Sequence, residues 1–80
     1  MSCPPVHWHA WGHAQVQFAS LHPAGIHAFA TIGPCVGPLA GQWLVRITRK
    51  GHPDLLGRAG SLEHAKRYVE RWAANHWRTV

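Results

Sequence analysis

A single stretch of this chain carries the periodicity of a helix. Leu62, Ala65, Val69, Trp72, Ala73 and His76 recur at three- and four-residue steps and form one apolar stripe, bordered by Tyr68. Ser61 stands where an N-cap belongs, and its hydroxyl can accept from a first-turn N–H, which is worth about 1 kcal/mol. Glu63 suits the positive pole of the helix and Arg78 the negative one. Glu63 and Arg67 are spaced i, i+4 in the favourable order. The pattern predicts a helix over about residues 62–76. The apolar runs before it step in twos. One helix after a series of strands can bury one face of one sheet. The expected fold is therefore α+β: an antiparallel meander of three to four strands packed on one C-terminal helix.

The strands read as follows. Residues 14–21 alternate, with Ala14, Val16 and Phe18 on one side and Gln15 and Gln17 on the other. His22-Pro23-Ala24-Gly25 is a turn by composition. Residues 26–32 alternate again: Ile26, Ala28, Ala30 and Ile32 face inward, and His27, Phe29 and Thr31 outward. The Gly- and Pro-rich run 33–41 reads as a loop. Residues 42–49 give the firmest strand, with Trp43, Val45 and Ile47 inward and Leu44, Arg46 and Thr48 outward. Residues 50–54 break it, and 55–59 form a short last strand in which Gly57 suggests an edge or a bulge. Residues 1–13, opened by Pro4-Pro5 and rich in His and Trp, read as an N-terminal arm or a short strand, before a single domain over 14–80.

With the helix on one sheet face, the other is left uncovered. On these phases it carries Gln15, Gln17, His27, Phe29, Thr31, Leu44, Arg46 and Thr48. Charge concentrates nearby. No Asp, Glu, Lys or Arg occurs before Arg46, so the net charge of +5 belongs to the second half. That suggests an anionic partner. Eight His add a reserve that gains positive charge between about pH 5 and 6. Arg46, Thr48, Arg49, Lys50 and Arg58, with Phe29 and His27 beside them, are the candidate nucleic-acid contacts. Arg neutralises phosphate or reads guanine, and an aromatic ring stacks on an unpaired base.

A resemblance supports that reading. The stretch Gly41-Gln42-Trp43-Leu44-Val45-Arg46-Ile47, then Leu56-Gly57-Arg58, then Ser61-Leu62-Glu63-His64-Ala65-Lys66, resembles the three-stranded-sheet-plus-helix DNA-binding domains of the plant ethylene-response type and of integrase arm-binding domains. In those domains a Gly-x-Trp strand and a following short strand lead into a helix beginning Thr/Ser-x-Glu-Glu-Ala, and the sheet lies in the major groove. The resemblance covers residues 41–72 and implies Arg46, Thr48 and Arg58 as DNA contacts. His64 departs from it, standing where the second Glu is found. The chain also resembles small phage- or prophage-encoded orphan proteins. The alternative function is accordingly an accessory protein that binds and modulates a host protein, through Phe29, Trp8, Trp11 or Trp77, since aromatic residues anchor interfaces.

Other chemistries find less material. His7, His9 and His13, with Cys3, are metal-ligand types, but no C-x-x-C or helical H-x-x-x-H accompanies them, so no metal or other cofactor is expected. Three carboxylates leave little for acid–base pairs, and no phosphate-cradling Gly loop precedes a helix. No enzyme activity and no small-molecule substrate are expected. Two Cys make no disulfide framework, and neither a signal peptide nor a long apolar run is present, which points to the cytoplasm and away from the membrane.

Overall fold

The computed structural model describes residues 4–10 and 15–79. Five strands form one antiparallel meander in chain order: β1 (His7–Ala10), β2 (Gln17–Ser20), β3 (Ala30–Pro34), β4 (Trp43–Arg49) and β5 (His52–Ala59). A short 3-10 turn, Gly37–Leu39, lies between β3 and β4. Helix α1 (Leu62–His76) follows β5 and passes into a 3-10 turn at Trp77–Thr79. The α+β class and the helix bounds agree with the sequence reading, with one strand more than expected.

Helix α1 starts where its cap predicts. Ser61 is extended, and its Oγ accepts from the His64 N–H at 3.2 Å. Ala65, Val69 and Ala73 are buried against Ala19, Ala30, Ile32, Val45 and Ile47, with Leu62 and Trp72 packed at the margins. The two alanines matter because a small side chain lets helix and sheet approach closely. Gly57 serves the same end on β5. The Tyr68 ring lies 3.8 Å from where a Cβ on Gly57 would stand, in the space a larger side chain would take.

Of the two readings of the N-terminal residues, arm or short strand, residues 7–10 form the strand. His7 pairs with Ser20 and Ala10 with Gln17, so residues 7–10 belong to the sheet. Trp8 drives this. It lies in register with Ala19 on the helix side, its Nε1 donates to Glu70 Oε2 at 3.3 Å, and Lys66 Nζ sits 5.4 Å from its ring centroid. Lying over an alanine row, the indole removes apolar area from water that the short β2 could not cover alone.

Strand phases agree for β3 and β4 and differ at two places. In β2 the buried residues are Ala19 and Ser20, and Ala19 is the one that faces the helix. Gln17 pairs with Ile32 on the helix side, and Phe18 pairs with Thr31 on the opposite side. Both sides of this strand carry apolar groups, so alternation alone cannot orient it. The second difference is Phe29. Ala19 is the partner of Ala30, yet its carbonyl also accepts from the Phe29 N–H at 2.9 Å. Two consecutive residues thus face Ala19, as at a bulge, and both point to the helix side. Phe29 is 3 % exposed and stacks on Trp72 with ring centroids 6.0 Å apart.

Residues 50–54, expected to end pairing, do so only briefly. Gly51 (φ +72°) gives the left-handed step that lets Lys50-Gly51 close the β4–β5 hairpin, and pairing resumes at His52. Pro53 is accommodated because the register slips there. Ile47 pairs with Leu55 but Arg49 with His52, leaving one extra residue on β5, an edge strand.

Replacing Ile47 by Ala should cost about 2–5 kcal/mol, because the buried side chain leaves a cavity beneath α1. Ser61→Ala should cost about 1 kcal/mol through the lost cap. Urea unfolding followed by circular dichroism checks both, with the midpoint falling and the denaturant slope unchanged.

Candidate nucleic-acid interface

The face away from α1 is organised in cross-strand rows. One row runs His9, Phe18, Thr31, Arg46, Leu56; the next contains Gly33, Leu44 and Arg58, with Val16 packed beside Gly33. Thr48 follows on β4, and Asp54 stands beside Arg46. Thr31, Arg46, Thr48 and Arg58 are exposed. Three of the expected contacts, Arg46, Thr48 and Arg58, therefore do share the uncovered face.

The electrostatics leave both arginines available. Arg46 Nε lies 3.7 Å from Asp54 Oδ2, with the two side chains 58 % and 42 % exposed. A solvated pair of this kind is worth about 0–1 kcal/mol, small against a phosphate contact made by the same guanidinium. Arg58 stands opposite Leu44. The aromatic partner differs from the expected one. Phe29 is in the core, on the far side of the layer from Arg46, so it belongs neither to a nucleic-acid surface nor to a protein-binding one. Phe18 takes the place next to Thr31, with its ring stacked on His9 at 5.4 Å.

The connection from residue 21 to 28 folds over one end of this face. Ser20 Oγ donates to the Ile26 carbonyl at 2.6 Å and accepts from the His22 N–H at 3.0 Å, which satisfies a fully buried hydroxyl. Gly25 (φ +76°) rests on His9, where a Cβ would come within 2.9 Å of the imidazole. His9 Nε2 is buried there without a hydrogen-bond partner. The uncovered area is thus the β3–β5 part. His27 departs from expectation: it is exposed, at φ +58°, in the connection rather than on a strand.

Arg49 and Lys50 also leave the open face. Following Val45 and Ile47, Arg49 turns to the helix side, and its Nε donates to the Pro53 carbonyl at 3.0 Å. With Lys50, His52, Trp72 and His76 it lines a cleft of about 340 Å³ between the β4–β5 turn and the end of α1.

The remaining candidates separate as follows. Trp8 is held against Lys66 and Glu70, so it is no free anchor for a partner. Trp77 is half-buried, with the Arg78 guanidinium 5.3 Å from its ring centroid. Trp11, His13 and Cys3 lie outside the described residues. His7 and His9 do share a face of β1, but among the described residues no three His, Cys, Asp or Glu side chains come together as a metal site. Cys35 is free. Periodicity missed Phe18 and His9 through the reversed β2 phase, and missed His52 and His76 as cleft residues. The paired signal for the latter was a His one turn after Trp72 and a Lys-Gly-His turn.

No family model, curated protein or solved structure matches the chain. Among the described residues, no helix is long and apolar enough to cross a membrane.

Truncating Phe29 to Ala should lower stability by about 3–5 kcal/mol, as for a core aromatic. Leu56→Ser, on the open face, should stay within about 0.5 kcal/mol of the parent. Urea midpoints for the two variants separate a core phenylalanine from a surface one.

Proposed function

We propose that the protein is a small, basic, non-catalytic binding module that engages DNA through the uncovered face of β3, β4 and β5. The observation that carries the reading is the juxtaposition on that face of Arg46 and Arg58 with Thr31 and Thr48, against one acidic group, Asp54. Guanidinium groups neutralise phosphate or bond guanine in a fork, and threonine hydroxyls serve either base edges or phosphate. Shape supports it as well. The β4–β5 hairpin is a two-stranded ribbon at the sheet edge, the form the major groove admits beside a helix. A cytoplasmic setting, where the free Cys35 stays reduced, is part of the reading. The three carboxylates support a non-catalytic role. Asp54 is at Arg46, Glu63 in the first turn of α1 and Glu70 at Trp8, so no two form an acid–base pair.

A second reading has its own observation. Leu44 and Leu56 are 42 % and 58 % exposed on the same face, and exposed leucines next to arginines suit a protein partner.

The two readings part on salt. DNA affinity should fall steeply as salt rises, and Arg46→Ala and Arg58→Ala should each reduce the slope of log K against log salt by about one. Fluorescence anisotropy of a labelled duplex across a salt series measures it. An affinity for DNA that ignores both arginines sinks the reading. Binding of a protein partner that is nearly independent of salt and lost in Leu56→Ser establishes the second.

A further inference from the structure

We propose that the cleft between the β4–β5 turn and the end of α1 is a binding site for a small phosphate-bearing molecule, distinct from the open sheet face. Its walls are Arg49, Lys50 and His52 from the hairpin and Trp72 and His76 from the helix. At about 340 Å³ it is at the lower end of the range for small-molecule sites, about 300–1,000 Å³.

Composition argues for an anion. Two full positive charges and two imidazoles converge, and no Asp or Glu lines the space. All three acidic side chains of the chain are placed elsewhere, at Arg46, at the start of α1 and at Trp8. The opposing term is the negative pole of α1, equivalent to about half an elementary charge and falling off within one turn. Against Arg49 and Lys50 it is the smaller effect.

The site is also built by the fold. Strict alternation back from Leu55 would put His52 on the open face. The extra residue at Pro53-Asp54 instead sets His52 opposite Arg49, on the helix side. Arg49 is held by its Nε bond to the Pro53 carbonyl, and its terminal amino groups are left to bind an acceptor. His76 is positioned by stacking on Trp72 at 4.9 Å, and Trp72 by stacking on buried Phe29. Lys50 stands at the rim, where it also borders a second hollow with His22 and His27. Guanidinium and ammonium groups holding phosphate oxygens, the His52 imidazole beside them and an aromatic edge for the organic part describe a phosphate ester. A free nucleotide and the phosphorylated end of a nucleic-acid strand share that chemistry.

This inference does not depend on the DNA reading, and the test keeps them apart. The amide spectrum of the intact protein is titrated at low salt with inorganic pyrophosphate and with adenosine monophosphate. Saturable shifts are expected at Arg49, Lys50, Gly51, His52 and His76. Lys50→Gln and His52→Gln, both exposed changes, should each weaken binding by about five-fold or more, as charge-assisted bonds are lost, while Arg46→Ala and Arg58→Ala leave it unchanged. A short oligonucleotide with and without a 5′-phosphate separates the two sources, and dependence on that phosphate with loss in Lys50→Gln also supports the site. No saturable shift with any of these probes overturns the proposal. So does binding that is insensitive to both Lys50→Gln and His52→Gln in variants whose spectra remain folded.

Discussion

The contact of Ala65, Val69 and Ala73 with Ile32, Val45 and Ile47 governs the rest of the molecule. Among the described residues it is the core the chain closes, and a short chain has little other area to bury. Because the helix is single, the sheet gains a covered side and a bare one. Because the helix stripe is built on small residues, α1 lies close to the sheet. That closeness makes Gly57 useful beneath Tyr68. It also brings the end of the helix near the β4–β5 turn, so that Trp72 and His76 face Arg49 and Lys50 across a cleft.

Charge then divides according to that geometry. The acidic groups are each engaged with something specific: Asp54 with Arg46, Glu70 with Trp8, and Glu63 with the first turn of α1. What remains is positive and occurs on both sides of the β4–β5 hairpin. Arg46 and Arg58 stand on the open side, and Arg49 and Lys50 at the helix-side end. A single β-ribbon thus presents cations in two settings. One is flat and solvated, suited to a long polyanion. The other is concave and partly apolar, suited to a small one. The exposed leucines on the flat side bring in the competing attraction, and salt dependence separates the two because Coulombic and apolar binding respond to it differently.

Much of the fold was legible in sequence. The helix and its cap followed from a sustained three–four stripe with Ser61 before it. The phases of β3 and β4 followed because their inward residues, Ala30, Ile32, Val45 and Ile47, all meet the helix while their outward ones do not. β1 was only half legible, since His7 and His9 flank Trp8 in a run opened by two prolines, and the groups that hold its ring, Lys66 and Glu70, lie 58 and 62 residues away. The β2 phase was not legible at all. Val16 and Phe18 outweigh Ala19 on any hydropathy scale, yet the inward place goes to alanine, because Trp8 and the helix fill the volume above it. Of the candidate site, Arg46, Thr48 and Arg58 kept their expected side, Phe29 and His27 did not, and Arg49 and Lys50, expected beside them at the basic edge, line the helix-side cleft.

The places of Phe29 and His52 have a common physical cause. Alternation holds only while two strands advance one residue for one, and it fails at two points: where Phe29 and Ala30 both face Ala19, and where Pro53-Asp54 oppose Thr48. The two breaks are neighbours, since the Thr48 N–H donates to the Phe29 carbonyl at 2.8 Å. Both lie at the end of the sheet beneath the last turns of α1. The first turns Phe29 inward to make a floor for Trp72, and the second turns His52 toward Arg49. Bulges re-aim side chains, and here both re-aim them toward the same indole. The cleft at this end is therefore a product of broken register. A sequence pattern that assumes regular strands keeps Arg49 on the helix side with Val45 and Ile47, but assigns His52 and Phe29 to the wrong side of the sheet.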